Sequence, residues 1–369
     1  MKKTAILFSF LAALLIQPIC CFSSVLTKVG SFETGSRPIY VTYSPRGSFA
    51  AVANNGDGTV SVYKVNQKSG KFTEVQDSPF SSGAGPAAIA YSPDERHAVV
   101  TNYDASSITL FKVDTCTGAF SLIQTLRFAT NPEILAPSIT SYSPDGRFVA
   151  VINTPILPAN SNISVYNVHP VNGTLSLAAT PFSLANFSPS VLDFSPDGKF
   201  IAVTLPGLGN QGTRLKIDPV TGALSSPSNF NTSTTLIAVP IGVAYSHNGK
   251  FAAVANNFDN SLATYVVNPV TGHFFNGATP TTVPTGNKPL WVAFSPDDLM
   301  AIVTNQADQT LSVYCINQET GVFTPMGAFL TDLQNLYVDA FHPCKNFFAV
   351  VGADSNLVNV YKVDSSICQ

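Results

Sequence analysis

The sequence predicts an all-β chain: a seven-bladed β-propeller with four antiparallel strands per blade. An aromatic residue followed by Ser-Pro-Asp-Gly, or a relative of it, occurs seven times in 369 residues. The copies start at Tyr43, Tyr91, Tyr142, Phe194, Tyr245, Phe294 and Phe341, spaced by 48, 51, 52, 51, 49 and 47 residues. A near-constant period of this size marks a propeller or solenoid rather than separate domains. Each copy repeats one order of apolar runs and turns, and none has a helical period. The last copy stops one strand short, while one unattached strand precedes the first copy.

Within each copy the elements follow in order. A short apolar strand such as "IGVAY" or "LWVAF" enters the Ser-Pro turn. After the turn come runs such as "FAAVAN", "HAVVTN" and "MAIVTN". Continuous apolarity predicts a strand covered on both faces, packed between neighbouring blades. A third strand alternates, as in "TVSVYKV" and "SITLFKV", which predicts one covered and one wetter face nearer the rim. A turn with Gly at position 70, 118, 173, 222, 272 or 321 leads to the fourth strand. The seventh copy ends at "LVNVYKVDSSICQ", before its fourth strand. The segment 25–32, "VLTKVGSF", is therefore expected to pair with the last blade, closing the ring without an open sheet edge.

Residues 1–23 read as a signal peptide and 24–369 as the propeller. Lys2 and Lys3 precede an apolar stretch too short to anchor a mature protein across a membrane, and small residues follow. Cys21 and Ser23 suit a cleavage site after Ser23. Lipid anchoring through Cys20 or Cys21 is disfavoured by Gln17 and Pro18, which sit where an aliphatic residue is wanted. The expected location is the periplasm, the cell surface or the medium. Without Lys2 and Lys3 the chain carries 17 basic and 22 acidic residues, with no basic cluster, so nucleic acid is not an expected partner. No internal apolar run reaches the length of a membrane span.

Four cysteines follow the signal segment: Cys116, Cys315, Cys344 and Cys368. An exported chain can hold disulfides. Strand direction brings Cys344 and Cys368 near one face, so a Cys344–Cys368 clasp is one reading and unpaired thiols are the other. No cysteine or histidine spacing suits a metal, and no cofactor is expected.

The turns after first and third strands share one face and are short. The loops after second and fourth strands share the other, where a site for a small molecule or protein is expected. The charged candidates there are Arg37, Arg127, Glu133, Lys288 and Asp332, each equally readable as a solvated loop charge. An acid recurs just after the second strand, at Asp57, Asp104, Asp259, Asp308 and Asp354, and reads as a turn residue satisfying loop amides. "GLGNQG", 207–212, matches a dinucleotide fingerprint in spelling only, because a strand and not a helix follows it. No Ser–His–acid set is readable.

The "VVTN" at 99–102, the "IVTN" at 302–305 and the repeated Ser-Pro-Asp-Gly and Thr-Gly turns resemble those of the YVTN-repeat seven-bladed propellers, a superfamily that includes the 6-phosphogluconolactonase-like, or lactonase, propellers. The likeness covers 25–368. It implies a sugar-lactone hydrolase with Pro-Arg-His entering a first strand and Val-Asn-Glu leaving a second. The best-matching copy, "GNKPLWVAFSPDDLMAIVTNQAD", has Leu290, Trp291 and Gln306 at those three positions. None of the three can do acid–base work on a lactone or on water. Trp291 at the channel mouth is either core filler or a stacking platform for a ligand. No catalytic residue is therefore assigned. The readings carried forward are an exported binding module, a divergent lactonase-type hydrolase, and a cell-surface or envelope structural protein.

Overall fold

A computed structural model describes residues 25–128, 135–155, 160–184, 188–206, 210–235, 237–275 and 281–368. The expected signal segment 1–23 and Glu133 lie outside these described residues. Seven antiparallel sheets form a ring. Blades 1 to 7 have first strands at Pro38–Tyr43, Pro86–Tyr91, Leu135–Tyr142, Leu192–Phe194, Pro240–Tyr245, Pro289–Phe294 and Leu336–Phe341. In blades 1, 3 and 5 the fourth strand is split into two pieces, both paired with the third.

The Ser-Pro-Asp-Gly turn holds itself together. In blade 3 the Ser143 hydroxyl donates to Asp145 at 2.6 Å and accepts the Phe148 N–H at 3.0 Å. Asp145 also accepts the Arg147 N–H, and Gly146 takes the positive φ of 72° that a Cβ would strain. The Gly of each outer turn has a second duty. A Cβ on Gly272 of blade 5 would run into the ring of Phe200 in blade 4, so glycine there lets adjacent blades close on each other.

Second strands bury every residue in six blades, as their unbroken apolarity predicts, and in blade 3 all but the last two, Thr154 and Pro155. Full burial of such a valine stabilises by about 1.5–3 kcal/mol. The third strands depart from the prediction. Thr59–Val65 leaves only Lys64 exposed, because the neighbouring blade covers both faces almost to the strand's end. The wet edge falls instead on the fourth strand, as in Phe120–Arg127.

The ring closes as expected. Leu26–Glu33 pairs antiparallel with Leu357–Val363, from Leu26 opposite Val363 to Glu33 opposite Leu357. The closure is reinforced by Lys28 Nζ, 2.5 Å from Asp332 Oδ2, while the Asn359 amide donates to Asp332 Oδ1 at 2.6 Å.

The disulfide is not the Cys344–Cys368 clasp that was one of the two readings. Cys368 is bonded to Cys315, with Cα atoms 5.3 Å apart, and Cys344 and Cys116 are free. The tail after blade 7 turns into a short 3-10 helix, Ser365–Cys368, that leans onto blade 6. Ser365 donates to Asp297 of blade 6 at 2.8 Å and accepts from Asn346 of blade 7 at 3.0 Å. Cys315 occupies the outward third-strand position that holds Lys64, Lys112, Lys216 and Lys362 in other blades, so its thiol faces the tail.

Candidate functional site

The first strands ring the central channel, and their third to fifth residues decide what fills it. Blade 1 places Tyr40 there and blade 6 places Trp291. Both are partly buried, and their rings meet edge-on with centroids 5.7 Å apart and planes at 78°. Trp291 also packs against the core between blades 4 and 5. It serves as packing and as part of the channel wall at once.

Two acids stand on first strands of the ring, at adjacent register positions. Asp193, in the first strand of blade 4, is partly buried, and its backbone neighbour across the blades is Tyr245, whose N–H it accepts at 2.9 Å. Burial pushes its carboxyl up from 3.8 to about 7. Asp339, in the first strand of blade 7, is fully buried and accepts the Thr304 hydroxyl. Its other oxygen has no partner, and burial holds its carboxyl well above the usual range. Burial raises the Tyr40 phenol, and Asp193 and Asp339 raise it further, so these three groups share one field. Sequence reasoning missed all three. The readable signal was an acid in "VLDF" and "LYVDAF": other first strands carry Ala90, Ala244 and Ala293 at the position of Asp193, and Val41, Ile89 and Val292 at the position of Asp339.

The charged candidates that the structure describes each have surroundings of their own. Arg37 and Lys288 both precede a first-strand proline with φ of 52° and 53°. Each has its N–H held by an asparagine of the preceding blade: Asn356 Oδ1 at 2.8 Å for Arg37 and Asn260 Oδ1 at 2.9 Å for Lys288. Their side chains are exposed. Arg127 is not in a loop. It is the exposed last residue of the fourth strand of blade 2, paired opposite Ser107. Asp332 belongs to the ring closure described above. Gln306 donates to Asn335 Oδ1 at 3.0 Å and so bridges blades 6 and 7, and Leu290 is half-buried.

The recurring acids and asparagines act within the blades. Asp57 accepts the Ser36 N–H at 2.7 Å and the Thr59 hydroxyl at 2.6 Å. Asp308 repeats this with Asn287 and Thr310 at 2.8 and 2.7 Å. Among the described residues no group of three His, Cys, Asp or Glu side chains is placed to hold a metal. The Asn that ends "IVTN", Asn305, is fully buried and donates to Thr310 and Ser312 at 3.0 and 2.8 Å. Asn54 and Asn102 bond third-strand hydroxyls in the same way. The motif behind the resemblance is therefore a side-chain rivet between second and third strands. Gly212, within "GLGNQG", is needed because a Cβ would strike Phe230.

Clefts also open on the face of short turns. One of about 350 Å³ runs along the first strands of blades 1 to 3, from Tyr40 and Thr42 to Pro45, Pro93 and Pro144. Others lie between neighbouring blades, including one of about 320 Å³ walled by Phe200, Tyr245 and Asn248.

The family model described as lactonase, 7-bladed β-propeller, matches residues 29–239 and 225–334. The chain belongs to the lactonase family of seven-bladed β-propellers. Compared with curated protein sequences, this lactonase-family propeller has no match. Among solved structures it is similar to the periplasmic gluconolactonase PpgL of Pseudomonas aeruginosa, at 17% identity and a TM-score of 0.71 over 92% of this chain and 94% of that one. A Bacteroides uniformis protein provisionally described as a 6-phosphogluconolactonase gives 21% identity and 0.68 over 79% and 85%. A Lactobacillus plantarum protein gives 22% and 0.66 over 80% and 85%. At these identities the likeness is one of fold.

Proposed function

We propose that this lactonase-family propeller is an exported binding protein that captures a ligand at its channel without hydrolysing a lactone. One observation carries the reading. The position where the resemblance wants a histidine holds Trp291, and Trp291 is packed edge-on against Tyr40. An indole has an apolar face for stacking and no group that exchanges protons with a lactone or with water. Export rests on the Lys2–Lys3 start and the apolar stretch after it. The test is direct. Purified protein is offered glucono-δ-lactone and its 6-phosphate, and hydrolysis above the spontaneous rate refutes the reading.

A second reading is favoured by Asp193. A carboxyl raised to about 7 beside a channel is in the range of a general base at neutral pH. Lactone turnover that disappears in Asp193→Asn supports a divergent hydrolase built on different residues from those of the family pattern.

A further inference from the structure

The cleft along the first strands of blades 1 to 3, of about 350 Å³, has a distinctive wall. Among the described residues that wall holds no acidic or basic side chain, and most of its residues carry a hydroxyl. Register shows that these hydroxyls are not a general property of first strands. Thr140 pairs with Val151, at the position that holds Val41, Ile89, Leu192, Val243 and Val292 in blades 1, 2, 4, 5 and 6. One position further on, Thr42 and Ser141 stand where blades 2, 5, 6 and 7 carry Ala90, Ala244, Ala293 and Ala340. The hydroxyl replacements thus fall in blades 1 and 3, on the two sides of blade 2.

Thr140 is 2% exposed and its hydroxyl has no partner. A buried hydroxyl left unpaired costs stability that a valine in its place would not. Thr42 and Ser141 are half-buried. Each donates only to the next residue's carbonyl, at 3.4 and 3.3 Å, beyond the roughly 2.5–3.0 Å of a good hydroxyl bond. Tyr43, Tyr91 and Tyr142 in the same wall also have unpartnered hydroxyls. So does Tyr245 of blade 5, which is outside it, so the threonines and the serine set this cleft apart. Pro45, Pro93 and Pro144 supply C–H surface at the other end of the cleft, and Tyr40 joins the cleft to Trp291, whose ring it meets.

We propose that this cleft binds a neutral cyclic polyol, a single ring of sugar size, with Thr42 and Ser141 as its hydrogen-bonding residues. The inference rests on the reading of the channel as a ligand site and names the class of ligand. A charged group would leave water without a counter-ion in the wall. A polyol ring offers hydroxyls at its edge to Thr42 and Ser141, and a C–H face to the prolines and tyrosine rings. A volume of about 350 Å³ is at the small end for ligand pockets, which suits one ring and not a chain of them.

The test offers the purified protein myo-inositol, D-glucose and D-gluconate in separate arms at matched ionic strength. Binding is followed by calorimetry and by saturation-transfer NMR of the added molecule, in wild type and in the double variant Thr42→Ala/Ser141→Ala. Alanine is the residue that four other blades carry at this position, so the variant is expected to fold and to melt at the wild-type temperature. The expected result is saturable binding of at least one neutral ring, weakened about tenfold in the variant, with D-gluconate bound more weakly than that ring. No saturable binding of either ring, tighter binding of D-gluconate, or equal affinity in the variant overturns the proposal. Equal affinity in the variant places the ring elsewhere, so it removes this cleft and leaves the channel reading standing. Lactone hydrolysis with ring binding intact refutes the capture-only reading and leaves this cleft assigned.

Discussion

Trp291 of blade 6 touches Tyr40 of blade 1, although blade 7 stands between their blades. The contact exists only because the ring is closed. Trp291 is also the single tryptophan of the chain, so the emission reports on its surroundings, of which Tyr40 is part. Tyr40→Ala is expected to move that emission to longer wavelength by admitting water to the indole. Unfolding in urea should also show a loss of about 1–2 kcal/mol, less than for a fully buried aromatic because both rings are only partly covered. An unchanged emission maximum would mean that the two rings do not meet in solution.

Asp193 makes stability depend on pH. Its folded value is about 7 against 3.8 when free, so the folded chain holds a proton that the unfolded chain has released. Its contribution is complete below pH 3.8 and is lost as pH rises through about 7. The slope in that window is at most about 1.4 kcal/mol per pH unit. Asp339 shifts in the same direction. Denaturant melts of wild type and Asp193→Asn between pH 4 and 8 should show a shallower fall in the variant.

The closure pair titrates the other way. Lys28, followed by Asn359, holds the Asp332 carboxyl below its usual range. Its help is present at neutral pH and is lost as pH falls through the carboxylate range. Both side chains of the ion pair reach water, at 34% and 62% exposure, so Asp332→Ala should cost no more than about 1 kcal/mol. Hydrogen exchange should locate the loss in Leu357–Val363 and leave the second strands of blades 2 to 5 unchanged.

The Cys315–Cys368 bond closes a loop across a sequence separation of 53 residues. In the chain-entropy account a loop of that size is worth about 4 kcal/mol. Reduction, or Cys368→Ser, should lower the melting temperature and free the tail from blade 6. Alkylation of the unreduced protein should label Cys116 and Cys344 and spare Cys315 and Cys368. Labelled Cys315 in the unreduced protein would contradict this pairing.

Much of the architecture is written in local pattern. The Ser143–Asp145–Gly146 turn makes its own bonds, so seven such turns announce seven blades before any blade meets another. The unpaired strand at 25–32 and the missing strand of blade 7 are two halves of one statement, read along the chain.

What the ring alone decides is which distant side chains face one another. Tyr40, Asp193, Trp291 and Asp339 come from blades 1, 4, 6 and 7, and no spacing rule links them. Cys368 reaches Cys315 and not Cys344 because the 3-10 turn at Ser365 directs the tail toward Asp297. Third strands are drier than their alternation suggests because coverage comes from the neighbouring blade, which no single repeat records. Strand order and blade count follow from short-range hydrogen bonding and period, so the amino-acid sequence by itself determined them. The channel's chemistry follows from contacts between blades, such as Asp193 with Tyr245, Asp339 with Thr304 and Tyr40 with Trp291, and those exist only once the sheets have packed into a ring.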